Sequence, residues 1–213
     1  MSASTSRDRQ AHWDDRYRTI GSEHVSWYEA EPKLSLELMD LVGASPTLSV
    51  IDVGGGASNL CGDLVHRGFS DVTVLDVSEK ALRAAKDHMS DPDDVTWVQS
   101  DLLGWAPTRR WDIWHDRAVF HFLTESDDRE TYRKLLRGAV APGGVVLITT
   151  FAPDGPGSCS GLPVCRYEAS QLLEEIDSGF TELAHGRFIH TTPSGAPQPL
   201  TWIAARAPQA DPV

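Results

Sequence analysis

Three carboxylates stand at the ends of successive apolar, β-branched runs of this chain: Asp52 is the last residue but one of Leu48–Val53, Asp76 follows Val72–Leu75, and Asp101 comes three residues after Val95–Val98. Directly after the first run stands Gly54-Gly55-Gly56. Glycines turn tightly and let a ligand lie against bare backbone. The phosphate-binding fingerprint G-x-G-x-x-G is broken, because Asn59 occupies the place of its third glycine. The loop carries no Lys or Arg, and Asp52 would repel a pyrophosphate. A cationic nucleoside without phosphates suits such a turn. S-adenosylmethionine, with its sulfonium and α-ammonium, has that charge. Asp76 lies 20 residues after Gly56, where an acidic side chain accepts both ribose hydroxyls. Asp101 is placed to accept from an exocyclic adenine amine. Each aspartate has a plainer reading as a helix cap or turn former, but three at consecutive strand ends favour a ligand.

The fourth apolar run, Trp111–His115, leads into polar residues that could act on such a ligand's partner. His115, Asp116, Arg117 and His121 are the catalytic candidates, with His115 also beside the methionine end of the nucleoside. Displacement at a sulfonium methyl needs alignment and exclusion of water, and a base only if the acceptor must lose a proton. The plainer alternatives are an Asp116–Arg117 ion pair fastening the loop and a satisfied core histidine at His121. His12-Trp13-Asp14-Asp15-Arg16-Tyr17 and Val25-Ser26-Trp27-Tyr28 resemble the N-terminal lid of small-molecule methyltransferases, which implies that Trp27, Trp13, Tyr17 and Tyr28 cover the sulfonium by cation–π contact; the plainer alternative is that they pack the N-terminal segment on the core. Cys159, Cys165, Arg166 and His190 complete the acceptor-binding candidates, the two thiols six residues apart offering contacts to a soft acceptor. Without a Cys-x-x-Cys pair or matched histidines, no metal site is expected. Cys61 falls in a helical apolar stripe and reads as core.

Positioning these residues requires alternating strands and helices. Leu34, Leu38 and Leu41 share a helical face ending at Gly43; Leu60, Cys61, Leu64 and Val65 mark a helix from about Ala57 to Arg67. Ser78 caps a helix with Ala81, Leu82, Ala85 and Met89 inward. A helix after Asp127 buries Tyr132, Leu135, Leu136 and Ala139, with Glu130 completing a capping box. Pro142-Gly143-Gly144 turns into the strand Val145–Thr150. After a helix near Glu168–Ile176, Phe180–Thr191 and Leu200–Ala205 are joined by a loop too short for a helix and form an antiparallel hairpin. The result is an α/β, Rossmann-like, doubly wound, seven-stranded, mostly parallel sheet with a C-terminal antiparallel hairpin. The polar start and the stretch from Ala207 are expected to be mobile.

Composition narrows the partners. The 213 residues suit one domain, and 31 acidic against 19 basic residues give a net charge of −12. Nucleic acid is disfavoured, since no Lys/Arg surface exists to displace counterions. No apolar run approaches membrane-spanning length, no secretory signal is visible, and three unpaired-looking cysteines fit a reducing, cytoplasmic setting.

At these residues the chain resembles the class I S-adenosylmethionine-dependent methyltransferases. Val50-Ile51-Asp52-Val53-Gly54-Gly55-Gly56 is similar to their first motif and Thr73-Val74-Leu75-Asp76-Val77-Ser78 to their second. Ser100-Asp101-Leu102 resembles the adenine-contacting segment and Pro142-Gly143-Gly144-Val145 the turn before the fifth strand. Ser58 departs from the commonest first motif, which has another glycine there. The resemblance implies S-adenosyl-L-methionine as cofactor, with its methionine end near Asp52, Gly54, Gly55 and Gly56, ribose on Asp76, and adenine against Val77, Asp101 and Leu102. It divides the chain into an N-terminal lid (1–31), a methyltransferase domain (32–206) and a tail (207–213). The Asp116-Arg117 pair resembles thiopurine- and tellurite-type members, which makes a small thiol, metalloid or other soft acceptor the first expectation. A protein-lysine methyltransferase of the same fold is the alternative, since an acidic surface suits a basic protein acceptor. An NAD-dependent oxidoreductase or a non-catalytic nucleoside-binding module ranks below both.

Overall fold

The computed structural model describes residues 5–176 and 179–210; the first four residues of the expected lid and 211–213 of the expected tail lie outside them. Its strands are β1 (Val50–Val53), β2 (Val72–Asp76), β3 (Val95–Gln99), β4 (Trp111–Arg117), β5 (Val140–Phe151), β6 (Ser158–Cys159), β7 (Leu162–Pro163), β8 (Thr181–Thr191) and β9 (Pro197–Arg206). Its helices are α1 (Ser6–Ile20), α2 (Lys33–Leu41), α3 (Leu60–His66), α4 (Glu79–Asp87), α5 (Ser126–Ala139) and α6 (Ala169–Ile176). Seven strands form one sheet in the order β3-β2-β1-β4-β5-β9-β8, while β6 and β7 pair separately as a small hairpin.

β1 to β5 pair in parallel, and β9 runs antiparallel to both β5 and β8. Strand order reverses between β1 and β4, so their carboxyl ends form the crevice where ligands of open α/β sheets bind. One core lies on the α5 and α6 face, around Ile51, Val53, Trp114 and Tyr132. The other lies beneath α2, α3 and α4, around Val50, Leu64, Ile113 and Leu147. β1 is buried on both faces, as a central parallel strand with helices on each side must be.

Several local expectations are corrected. The polar start is not a mobile segment over its described residues: Ser6–Ile20 is helical, with Thr5 and Asp8 exchanging the two bonds of a capping box. α5 begins after Glu125, which makes no side-chain cap bond. Glu130 instead faces Arg133, Lys134 and Arg137 along the helix surface. Leu41 ends α2 on its outer face and is 55% exposed. Pro142-Gly143-Gly144 lies inside β5, where the register against β4 shifts between Trp111 and Ile113.

Candidate functional site

Side-chain alternation along a strand decides which polar groups reach the crevice. β1 and β4 run in register, with Asp52 beside His115 and Val53 beside Asp116. Asp52 and His115 therefore share one face: His115 Nδ1 lies 2.7 Å from Asp52 Oδ1, and Nε2 lies 2.9 Å from Ser35 Oγ on α2. The next residue points the other way. Asp116 accepts from Tyr132 Oη at 2.7 Å and from the Val119 and Phe120 amides at 2.9 and 3.3 Å. Burial pushes its carboxyl up to about 6. Neither His115 nor Asp116 lines the crevice, so both are brackets under it rather than groups facing a substrate. Arg117, back on the first face, does line it.

The crevice is one cavity of about 970 Å³. At one end it is bounded by Gly54, Asp76, Val77, Asp101 and Leu102. Gly54 and Gly56 adopt φ of +65° and +51°, the left-handed region that glycine enters freely. A Cβ on Gly54 would stand 2.0 Å from Val119 Cγ2, and one on Gly56 would stand 2.7 Å from the Tyr17 hydroxyl and 3.1 Å from Asp76 Oδ2. Asp76 Oδ1 accepts from the Ser78 amide at 2.7 Å, while Ser78 itself caps α4. Burial, with Asp52 nearby, pushes Asp76 up to about 7. Asp101 Oδ2 accepts from Arg9 on α1 at 2.6 and 2.9 Å, and Oδ1 accepts from the Leu103 amide.

The other end is aromatic. Trp13 meets Trp27 edge-on at 5.8 Å and Phe122 at 5.2 Å, and Tyr17 meets Trp27 at 6.1 Å. α1 and the Trp27 segment thus roof the cavity. His121 is fully buried between Phe122 and Phe151 at ring distances of 4.4 and 4.7 Å. Neither ring nitrogen has a hydrogen-bond partner among the described residues. Burial pushes it down to about 3, so it is neutral at physiological pH. His190, from β8, reaches Glu29 Oε1 at 3.0 Å and the Ser26 carbonyl at 2.7 Å. The same Glu29 oxygen lies 3.1 Å from Arg117, whose other nitrogen donates to the Trp27 carbonyl.

The remaining candidates divide. Cys159 lines the cavity, with burial pushing its thiol up. Cys165 bonds through its amide to the His121 carbonyl, and Arg166 donates to the Gly155 carbonyl; neither lines the cavity, nor does Tyr28. The two thiols are thus not a pair facing one acceptor: Cys159 ends β6 at the cavity wall, whereas Cys165 lies beyond β7 and outside the lining. No group of three or more potential metal ligands is found among the described residues. No described helix is long and apolar enough to cross a membrane. Sequence reasoning missed Glu29, Phe122, Phe151, His12 and Arg9. It also missed Ala118, held at φ of +68° at the cavity wall, an unusual conformation for a residue with a Cβ.

The surroundings fit a cationic nucleoside. Asp52 Oδ2 is buried with no partner among the described residues, and such an oxygen calls for a cation or donor. A model of the methyltransferase domain matches residues 50–144, which span β1 to the start of β5. An uncharacterized methyltransferase of Mycobacterium tuberculosis is 26% identical over 77% of this chain and 77% of its own. The chain is an S-adenosylmethionine-dependent methyltransferase. A trans-aconitate 2-methyltransferase of Azoarcus is 28% identical over 64% of this methyltransferase, which spans 49% of that relative. Among solved structures, a Burkholderia thailandensis N1-methyltransferase holding 1,6-didemethyltoxoflavin and S-adenosylhomocysteine superposes with a TM-score of 0.73. It is 19% identical and covers 98% of this chain and 92% of its own.

Proposed function

We propose that this methyltransferase acts on a small-molecule acceptor inside the aromatic end of the cavity. The observation that carries this reading is the roof: Trp13 and Trp27 close over Phe122, which packs on His121. A protein-lysine enzyme needs an open groove that a polypeptide can cross. The aconitate and toxoflavin relatives, both acting on small molecules by name, support the same reading. The resemblance of the Asp116-Arg117 segment to thiopurine- and tellurite-type members gains no support from the geometry, since the two side chains leave β4 on opposite faces. Of the two thiols that pointed to a soft acceptor, Cys159 lines the cavity and Cys165 does not.

S-adenosylmethionine supplies a methyl group already activated on sulfur. Gly54, Asp76, Val77, Asp101 and Leu102 are the residues assigned to the nucleoside, with Asp52, braced by His115, providing negative charge beneath the glycine turn. Trp13 and Trp27 exclude water from the roofed chamber. His121 faces the acceptor as a neutral imidazole and accepts its proton's hydrogen bond. Arg117 and His190 tie the roof to the sheet through Glu29. Residues 5–31 serve as the lid in this reading. The test is release of S-adenosylhomocysteine across small acids, phenols, thiols and basic peptides. Turnover confined to the peptides would end the proposal.

A further inference from the structure

We infer that the acceptor is a neutral aromatic amine, methylated on nitrogen, with its N–H donated to His121; this rests on the small-molecule reading above. The charge around the cavity argues for it. Six carboxylates line it (Asp8, Asp76, Asp101, Glu125, Asp127 and Asp128) against two guanidiniums, those of Arg9 and Arg117. Both arginines already face carboxylates, Arg9 that of Asp101 and Arg117 that of Glu29. Asp52 acts on Arg117 as well. An anionic acceptor would enter a lining that is already negative. A nitrogen acceptor suits it better. Its lone pair forms the new bond to the methyl carbon, the pair of the broken carbon–sulfur bond stays on sulfur, and the positive charge passes to nitrogen. The cavity therefore holds one cationic group before and after transfer, with the rings of Trp13, Trp27 and Phe122 beside it.

The side chains at the aromatic end decide which amine. His121, fully buried, stands at about 3 and cannot keep a proton. Burial pushes His12 down too, with Arg16 near it, and pushes the Cys159 thiol up. His190 is tied at its two nitrogens to Glu29 and the Ser26 carbonyl. A phenol or an aliphatic ammonium must shed a proton to react, and none of these groups is placed to keep it. An arylamine is neutral at physiological pH and retains its proton through the transfer. A neutral imidazole has one nitrogen that accepts, and neither His121 nitrogen has a partner among the described residues. A buried acceptor left unmatched is costly, and the amine N–H removes that cost.

The test compares bicyclic probes of one shape: indoline, an arylamine neutral at physiological pH; isoindoline, its aliphatic isomer, cationic there; indane, without nitrogen; and 5-indanol, a phenol. Tryptophan fluorescence of the protein saturated with S-adenosylhomocysteine reads binding, because Trp13 and Trp27 wall the chamber. Methylated product formed from S-adenosylmethionine reads turnover. Indoline is expected to bind at least threefold more tightly than indane, and His121→Ala is expected to erase that difference. Indoline is expected to turn over at least tenfold faster than isoindoline or 5-indanol. Indoline binding no tighter than indane in the wild type, or a difference that survives in His121→Ala, overturns the amine inference. Methylation of 5-indanol without methylation of indoline also overturns it, while leaving the small-molecule reading intact. Turnover of a basic peptide with no probe bound overturns both.

Discussion

His115 Nδ1 lies 2.7 Å from Asp52 Oδ1, and both side chains are only 3% exposed. The pair joins β1 to β4 at the point where strand order reverses, and Ser35 on α2 completes it. Removing one partner of a buried pair leaves the other uncompensated. His115→Ala is expected to cost about 3 kcal/mol in urea denaturation, whereas Ser35→Ala costs about 1 kcal/mol. Equal, small losses for the two variants would show that His115 does not brace Asp52.

Asp76 makes nucleoside binding depend on pH. Its carboxyl stands at about 7 in the ligand-free protein because it is buried, and only the ionised form accepts from two hydroxyls. About one such group in ten is ionised at pH 6 and nine in ten at pH 8. S-adenosylhomocysteine affinity is therefore expected to rise about tenfold between those values. In ligand-free folding the sign reverses: a raised carboxyl pKa stabilises fully below the unfolded value of 3.8 and is lost as pH rises through about 7. Asp76→Asn should flatten the binding profile and weaken binding at least tenfold, about 1.4 kcal/mol. A profile unchanged in Asp76→Asn would remove this residue from the site.

His121 is neutral down to about pH 3. The rate profile should therefore show no limb from its ionisation between pH 5 and 9. His121→Ala is expected to lower kcat about tenfold, the worth of one hydrogen bond, with S-adenosylhomocysteine affinity held within twofold. A kcat within threefold of wild type would make it a packing residue.

The Tyr132 hydroxyl links two buried groups, donating to Asp116 Oδ2 and accepting from Trp114 Nε1 at 3.0 Å. Tyr132→Phe leaves both unmatched and is expected to cost about 2–4 kcal/mol in thermal or urea unfolding. A loss below about 1 kcal/mol would contradict Asp116 as a bracket of the Val119–Phe120 turn.

The sheet was legible because its signals are local and repeat. Valine-rich runs ending at Asp52 and Asp76, the Ser78 cap and the short link between β8 and β9 each state their own geometry. The cavity was legible in part. Asp76 and Asp101 were read from strand ends, but His115 and Asp116 were both read as candidates at the crevice. One residue of alternation sends them to opposite faces, and only the register of β1 against β4 decides which. Glu29 and His190 meet across 161 positions of chain, a contact no spacing rule encodes. The helix Ser6–Ile20 has no buried residue, so it lacks the apolar stripe that reveals a helix, and its polar start read as loose chain.

The central claim is that the glycine turn with Asp52, Asp76 and Asp101 holds a cationic nucleoside without phosphates. Calorimetric titration of S-adenosylmethionine and of NAD into the same protein tests it most directly. The account predicts one-to-one S-adenosylmethionine binding at micromolar or tighter affinity and no heat with NAD. Saturable NAD binding without S-adenosylmethionine binding would contradict it.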